Sequence, residues 1–195
     1  MAINKRPLEQ SQLDIGLVAL TDSAPLVMAK HLGFFDQLGL DVKLRIQHSW
    51  ATVRDRLHAG LLDATQMLAP MPLASTLGLN GTQCNVITAF NLSMNGNAIT
   101  ISQSLMDKIV SANNGNFPEL PLNSRHLSSF IKKGKKLNFG SVYPYSCQYY
   151  QLRDWLNSGQ INPEQDINLS IIPPVNMTTA LTKNEIDGFS VGTPW

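Results

Sequence analysis

The sequence lacks the motifs by which most enzymes and metalloproteins can be found. It contains no G-x-S-x-G elbow, no P-loop, no H-E-x-x-H and no G-x-G-x-x-G after a predicted strand. The histidines share no metal-ligand spacing; they are His31, His48, His58 and His126. We therefore expect no catalytic residue, no metal site and no cofactor, and we interpret the histidines as solvated side chains on helix surfaces.

Neither sign of charge predominates, and cysteine is scarce. The chain has 15 Lys and Arg residues against 14 Asp and Glu, a net charge of +1. This balance argues against nucleic acid as a direct partner and against an anionic membrane surface. The one basic cluster, four lysines within residues 132–136, is interpreted as the solvated end of a helix. Cys84 and Cys147 lie too far apart to suggest a metal site or a disulfide framework, so we expect reduced thiols.

Long apolar runs are also missing. No stretch approaches the roughly 20 apolar residues that cross a bilayer, and the candidate at residues 61–79 is interrupted by Asp63, Pro70 and Pro72. Residues 9–12 are polar where a signal peptide needs an apolar segment. We therefore expect no transmembrane segment and a cytoplasmic location for the chain as written. If the N-terminus has been trimmed, the alternative is a periplasmic or membrane-associated location.

What the chain does contain is an alternation of short runs rich in Val, Ile and Leu with helical patterns of about ten residues. This alternation is typical of an α/β fold, in which helices cover parallel sheets. Strands are predicted at residues 13–20, 40–47, 63–68, 84–90, 97–102, 136–142, 167–172 and 187–192. Helices are predicted from residue 24 or 25 to 39 and at residues 50–60, 70–79, 124–134, 147–158 and 174–184.

The order of these elements predicts two α/β lobes with a central cleft. Residues 13–92 form the first lobe and residues 93–195 the second, joined near MNGNAIT. The second lobe stops after the strand that leads into VGTPW, without the return segments that complete the sheets of a two-lobed protein. We therefore expect an incomplete second lobe and an N-terminal fragment.

Polar, small or aromatic residues follow several predicted strands, where ligands of doubly wound sheets bind. Trp50 is either a half-buried packing residue or the wall of a ligand slot, with its indole N–H as a donor. Gly96 and Asn97 form either a simple turn or a close approach of backbone and amide to a ligand. Gln148, at a predicted helix start, is either a surface side chain or a ligand contact. Because strand ends meet at one edge of a sheet, their succession favours a binding crevice.

Five stretches of the sequence carry a family resemblance. In chain order they are IGLVALTDSAPLVMAKHLGFFDQLGLDV, SWATVRDRLHAGLLDATQMLAPMPLASTLGL, NGNAIT, LRDWL and DGFSVGTPW. Together they are similar to the nitrate- and bicarbonate-binding proteins of bacterial ABC importers, and to the cytoplasmic nitrate sensors related to them. The resemblance implies a periplasmic-binding-protein fold of the second type, in which two α/β lobes close over a small anion. It also implies a longer whole protein, with a ligand-binding lysine in the missing part.

The same resemblance points to ligand-binding residues in the first half of the chain. Trp50, in SWAT, matches the family's ligand-contacting tryptophan. Gly96 and Asn97, in NGNAIT, stand in a motif that resembles the family's GQAIT. Asn97 replaces the glutamine of that motif, which keeps the amide chemistry and shortens its reach.

Further site residues follow from the resemblance in the second half. Gln148 replaces a family histidine ahead of LRDWL, so a neutral donor stands where the family has a titratable one. Val191 and Gly192 match the VGEPW turn, where Thr193 replaces the family's glutamate. These substitutions keep a small oxyanion or a similar polar ligand as the class and leave the particular anion open.

Three functions are compatible with these patterns. The first is a solute-binding protein for a small anion, of the nitrate, nitrite or bicarbonate class, that serves an ABC permease. The alternative is a cytoplasmic nitrate or nitrite sensor of the same fold that controls a regulatory protein. The third is an enzyme of the thiamine-precursor type on a related fold. Because the chain lacks a convincing constellation of His and Cys, we do not predict an enzyme.

Overall fold

The first part of the chain forms a small parallel sheet. In this computed structural model, residues 7–79, 81–131 and 136–194 are described. The strands β1 (Gln12–Val18), β2 (Asp41–Gln47) and β3 (Ala64–Thr65) lie in the order β2-β1-β3, and both strand pairs are parallel. The helices are α1 (Ala24–His31), α2 (Phe34–Gln37), α3 (Trp50–His58) and α4 (Pro70–Leu77), with a 3-10 turn at Thr21–Ser23. We call this part the first sheet with its helices.

The second part forms a larger, mixed sheet. Its strands are β4 (Asn97–Ile101), β5 (Leu137–Ser141), β6 (Ile167–Ile171) and β7 (Gly188–Gly192), in the order β4-β7-β5-β6. The β5–β6 and β5–β7 pairs are parallel, whereas β4 runs antiparallel to β7. Its helices are α5 (Gln103–Ala112), α6 (Ser128–Ile131), α7 (Cys147–Ser158) and α8 (Pro174–Thr182), with a 3-10 turn at Ser124–Leu127. The predicted α/β class is therefore confirmed.

Serine caps fix where two helices begin. Ser49 and Ser146 have extended backbones, and each side-chain oxygen accepts a hydrogen bond from a backbone N–H three residues further on, at 3.1 and 3.0 Å. This bond satisfies one of the donors that a helix leaves unpaired at its N-terminus. The caps place Trp50 and Gln148 in the first turns of α3 and α7, at the carboxyl ends of β2 and β5.

Two hydrophobic clusters hold the molecule together. The second-sheet cluster lies entirely within the second part: Leu105, Ile109, Leu127, Leu137, Phe139, Leu152, Leu156, Ile161 and Ile167. The shared cluster joins both sheets: Val18, Leu20, Trp50, Val53, Leu68, Met71, Val142, Tyr143, Met177, Ala180, Ile186, Phe189 and Val191. Apolar burial is the main favourable term in folding, so the shared cluster ties the two sheets to one another. The proposed division between residues 92 and 93 remains a prediction.

The predicted strand at residues 84–90 is wrong. This segment is irregular, and Ile87 within it is 99% exposed. A strand is stabilised by pairing with a neighbouring strand, and in the described part of the chain no strand lies alongside this segment. An apolar pattern alone is therefore not enough to predict a strand at residues 84–90. For the same reason the strand predicted at residues 63–68 is short, since only Ala64 and Thr65 pair with β1.

Two predicted helices are interrupted. The helix predicted up to residue 39 breaks at Gly33, whose φ of 72° is left-handed, so that α1 and α2 are separate. Ser23 occupies the N-cap position of α1, but its side chain does not cap the helix, because the hydroxyl donates to the Leu20 carbonyl at 2.7 Å. The helix predicted at residues 124–134 is a 3-10 turn followed by the short α6. Its end and most of the basic cluster, residues 132–135, lie outside the described residues.

The helices found among the described residues are all too short or too polar to span a bilayer.

Candidate functional site

Trp50 is buried more deeply than either sequence interpretation predicts. It is the first residue of α3 and is 0% exposed, packed within the shared cluster. Its one polar atom, the indole Nε1, is buried and has no hydrogen-bond partner. An indole N–H usually finds an acceptor when buried, because leaving it unpaired costs free energy. The side chain is thus both a core residue and an unused donor.

Five predicted site residues form one group at the edge of the second sheet. Gly96 has a left-handed φ of 81°, and its carbonyl accepts a hydrogen bond from the Thr193 N–H at 3.2 Å. Asn97 pairs in register with Gly192 across β4 and β7. A Cβ on Gly192 would lie 3.6 Å from both the Asn97 Oδ1 and the Gln148 Nε2. The structure therefore brings Gly96, Asn97, Gln148, Gly192 and Thr193 together.

Two amide side chains of this group and that of Gln151 form a hydrogen-bonded chain, which we call the amide chain. The Gln148 Nε2 donates to the Asn97 Oδ1 at 2.9 Å, and the Asn97 Nδ2 donates to the Gln151 Oε1 at 3.0 Å. Gln148 is 4% exposed, so it is not a surface side chain. Its remaining polar atom, Oε1, is buried without a partner. The chain of amides thus ends at a buried acceptor. Gln151, which sequence reasoning missed, lies at the exposed other end.

Val191 does not join this group. Side chains alternate between the two faces of a strand, and Val191 packs in the shared cluster with Trp50, whereas Gly192 faces Asn97 and Gln148. The structure therefore divides the predicted residues between the two faces of the second sheet. Trp50 and Val191 lie on the face of the shared cluster, and the amide chain lies on the face covered by α7.

Two serines that the sequence analysis missed lie on the face of the amide chain. Ser141 and Ser190 are partners in the register of β5 and β7, and both are completely buried. Neither hydroxyl has a hydrogen-bond partner. Ser190 is two residues before Gly192 and therefore points to the same face. The signal in the sequence is a serine inside an otherwise apolar strand, in FGSV and FSVG.

The first sheet adds a third missed residue, Gln66, just after β3. Its Oε1 accepts a hydrogen bond from the Val18 N–H at 3.1 Å. Its buried Nε2 makes no hydrogen bond of normal geometry. Asp22 lies near this amide. Burial raises the pKa of the Asp22 carboxyl above its ordinary 3.8, and the nearby Gln66 amide opposes part of that rise.

The chemistry of these groups suits recognition more than reaction. The unused atoms are an indole N–H, two amide atoms and two hydroxyls, all neutral hydrogen-bonding groups. Within the described ranges, no cluster of three or more His, Cys, Asp or Glu side chains could hold a metal ion. Buried polar atoms without partners are rare in folded proteins, and here they lie within two residues of strand ends or at helix starts, near the places where α/β proteins bind small ligands.

Comparison with known proteins agrees with this architecture. The solved structure of the periplasmic nitrate-binding protein NrtA from Synechocystis superposes with a TM-score of 0.84 and 29% sequence identity, over 96% of this chain and 48% of that one. The fold is thus that of the periplasmic-binding-protein class. The chain belongs to the NMT1-like family, whose model matches residues 6–195. The predicted family resemblance is therefore confirmed.

Two curated relatives are components of importers in Synechocystis. The nitrate import ATP-binding protein NrtC is 42% identical over 100% of this chain and 28% of its own length. The bicarbonate transport ATP-binding protein CmpC is 39% identical, also over 100% of this chain and 28% of its own length. The chain therefore spans less than a third of these relatives, and it contains no P-loop that would extend their nucleotide binding to these residues.

Proposed function

We propose that this chain forms the anion-binding part of an ABC-type uptake system for nitrate, nitrite or hydrogen carbonate. Relatives named for nitrate import and bicarbonate transport support the ligand class. The likeness to the structure of NrtA, a nitrate-binding protein, supports anion binding on this fold. An ABC permease is the partner that these names favour. The names describe binding and transport and so do not suggest an enzyme.

One observation carries the proposal. Among the described residues, five buried polar side-chain atoms lack a hydrogen-bond partner, and all lie within two residues of the carboxyl end of a strand or in the first turn of a helix: Trp50 Nε1, Gln66 Nε2, Ser141 Oγ, Gln148 Oε1 and Ser190 Oγ. An unpaired buried polar atom costs about 1–3 kcal/mol. A small oxyanion would offset this cost at four of the atoms, by accepting hydrogen bonds from the Trp50 indole, the Gln66 amide and the two serine hydroxyls. We infer that the ligand lies at the edge of the second sheet where these strands end, so that groups from both faces contact it, together with Asn97 and the backbone of Gly96 and Gly192.

The sensor alternative has less support. The relatives that match are components of import systems, and nothing in the geometry of the described residues suggests a regulatory partner. Gene neighbourhood separates the two functions: genes for a permease and an ATPase indicate uptake, and a gene for an antiterminator indicates sensing. The two functions also differ in location, since uptake implies a periplasmic protein and sensing a cytoplasmic one. Fractionation of cells that express the natural protein would test a periplasmic against a cytoplasmic location.

Calorimetry with nitrate, nitrite and hydrogen carbonate tests the proposed site. The informative variant is Trp50→Phe, which removes the unpaired indole N–H and keeps an aromatic ring. Its matched control is Trp155→Phe, because the Trp155 Nε1 already donates to the Leu122 carbonyl at 2.8 Å. We expect Trp50→Phe to weaken binding about tenfold or more, since a hydrogen bond to a charged group contributes about 1.5–3 kcal/mol.

The control should show the opposite pattern. Trp155→Phe should lower stability, because it leaves a carbonyl unpaired, and should leave anion affinity unchanged. If the unaltered full-length protein binds none of the three anions, the proposed function is wrong. If it binds one of them and Trp50→Phe binds it equally well, the function stands and the place of Trp50 in the site is wrong.

A further inference from the structure

The amide chain has a direction, and the direction decides which group faces the ligand. In the structure each amide donates toward Gln151: the Gln148 Nε2 to Asn97, and the Asn97 Nδ2 to Gln151. The buried end of the chain is consequently the Gln148 Oε1, an acceptor without a partner. If all three amides were reversed, the buried end would be the Gln148 Nε2, a donor. The same three side chains can thus present either of two opposite groups.

A buried acceptor discriminates between oxyanions of equal charge. Nitrate and nitrite have only acceptor oxygens, so they would meet the Gln148 Oε1 with repulsion between lone pairs. Hydrogen carbonate carries one O–H that can donate to it. Sites that hydrogen-bond a ligand hydroxyl reject analogues that lack it, because the group of the site is then left unpaired. The observed direction therefore favours an anion that carries a proton.

We propose that Gln151 is a positioning residue that sets the direction of the amide chain and thereby selects hydrogen carbonate over nitrate. This inference rests on the proposed function, since it assumes that a small oxyanion binds beside Gln148. Gln148 and Gln151 are three residues apart on α7 and so lie on the same helix face, where both reach Asn97. Gln151 is exposed, so a change there alters the end of the chain without disturbing the core.

Two substitutions at this position fix the chain in opposite directions. The carboxylate of Gln151→Glu can only accept, so Asn97 must donate to it and the Gln148 Oε1 stays turned to the ligand. The ammonium of Gln151→Lys can only donate, so Asn97 must accept from it and then donates to Gln148. The Gln148 Nε2 then faces the ligand. Because hydrogen carbonate and nitrate carry the same charge, the ratio of their affinities is insensitive to the added charge itself.

The experiment measures the affinities of the full-length protein for hydrogen carbonate and nitrate, in sealed cells at slightly alkaline pH. We expect the unaltered protein and Gln151→Glu to prefer hydrogen carbonate and Gln151→Lys to prefer nitrate. The ratio of the two dissociation constants should change about tenfold or more between the two variants. Gln165→Glu and Gln165→Lys, at another exposed glutamine, control for charge and should leave the ratio unchanged.

A second set of variants tests whether the effect of Gln151 passes through Asn97. Asn97→Ala removes the middle amide, so the two Gln151 variants should then show the same ratio. If the ratio differs between them to the same extent without Asn97, or does not differ even with it, the inference is wrong while the proposed function stands. A preference of the unaltered protein for nitrate would also overturn the inference. If the unaltered protein binds neither anion, the proposed function fails and this inference fails with it.

Discussion

The two sheets bury their apolar side chains in different ways. The second sheet and α7 enclose the second-sheet cluster, in which Phe139, Leu152 and Leu156 are fully buried. The clustered core residues of the first sheet and its helices belong instead to the shared cluster, whose other half comes from the second sheet. The helices α1 and α2 bury no residue at all.

This difference bears on how the site is built. Because the second sheet has its own core, it can hold Asn97, Gln148 and Ser190 in fixed positions. The first sheet is positioned by its packing in the shared cluster. Trp50 belongs both to that cluster and to the candidate site. Rigid supports favour precise recognition. We infer that the amide chain is the stable half of the site and that Trp50 is placed by the contact between the sheets.

The largest expected effect is in the second-sheet cluster. Leu152→Ala removes a side chain that is 0% exposed, and the cavity left behind should lower the free energy of unfolding by about 2–5 kcal/mol. The comparison is Leu73→Ala on α4, where the side chain is 63% exposed and the change should stay within about 0.5 kcal/mol. Urea unfolding of the same chain, monitored by circular dichroism, measures both.

This pair of variants also tests whether the two sheets differ in how well they are packed. If Leu73→Ala costs as much as Leu152→Ala, then α4 is covered in solution and the first sheet is better packed than its exposure indicates. Repeating both changes in full-length protein sharpens the test. If Leu73→Ala lowers the free energy of unfolding only in the full-length protein, the surface that covers Leu73 lies outside this chain.

A smaller effect is expected at one of the hydrogen bonds between the first and second parts of the chain. The Arg54 Nη1, on α3, donates to the Tyr143 hydroxyl, just after β5, at 2.7 Å. Tyr143→Phe removes this bond and keeps the ring, so it should lower the free energy of unfolding by about 1 kcal/mol. The measurement is again urea unfolding, and Tyr150→Phe, at an exposed ring, is the control.

The outcome tells whether polar contacts add to the shared cluster. An unchanged free energy of unfolding in Tyr143→Phe would mean that this hydrogen bond adds nothing to the apolar packing of the shared cluster. An Arg54→Ala variant and the double variant complete the cycle, because the coupling between two contacting residues is isolated only by comparing both single changes with the double change.

Much of this fold could be predicted from the sequence, because its signals are local. The helix predicted at residues 50–60 formed as α3, because a serine caps its start at Ser49 and a glycine with a left-handed φ of 68° follows its end at Gly60. The failures are not local. Residues 84–90 have the composition of a strand, but a strand exists only if a partner lies alongside, and composition carries no information on that. The antiparallel β4 is a similar case, since its direction depends on where the chain returns.

The candidate site was less accessible to prediction. Trp50, Asn97 and Gln148 were candidates from their places near predicted strand ends, and the family resemblance favoured them as ligand contacts. Ser141, Ser190 and Gln66 did not emerge at all. A serine in a buried strand is ordinary unless its hydroxyl is left unpaired, and that depends on the neighbouring strand and helix. The amide chain requires β4 beside β7 and α7 across both. These are tertiary facts that no spacing in the sequence expresses.

The smallest expected effect concerns a charge on the first sheet. Asp22 is half-buried, and burial raises the pKa of its carboxyl above 3.8. A raised pKa means that the folded chain disfavours the charged form, so Asp22 lowers stability at pH values above its folded pKa and ceases to do so as the pH falls below 3.8. Asp22→Asn should therefore be slightly more stable than the unaltered chain at neutral pH, and thermal unfolding across a pH series would show the difference.

The pH dependence separates this cause from a general effect of charge. The advantage of Asp22→Asn should shrink as the pH falls through the acid range, because the unaltered carboxyl then becomes neutral as well. Asp154→Asn, at an exposed position on α7, controls for the loss of one negative charge. If Asp22→Asn is less stable at neutral pH, the charged carboxylate makes a favourable contact. That contact would then add to the packing of the shared cluster in stabilising the first part of the chain.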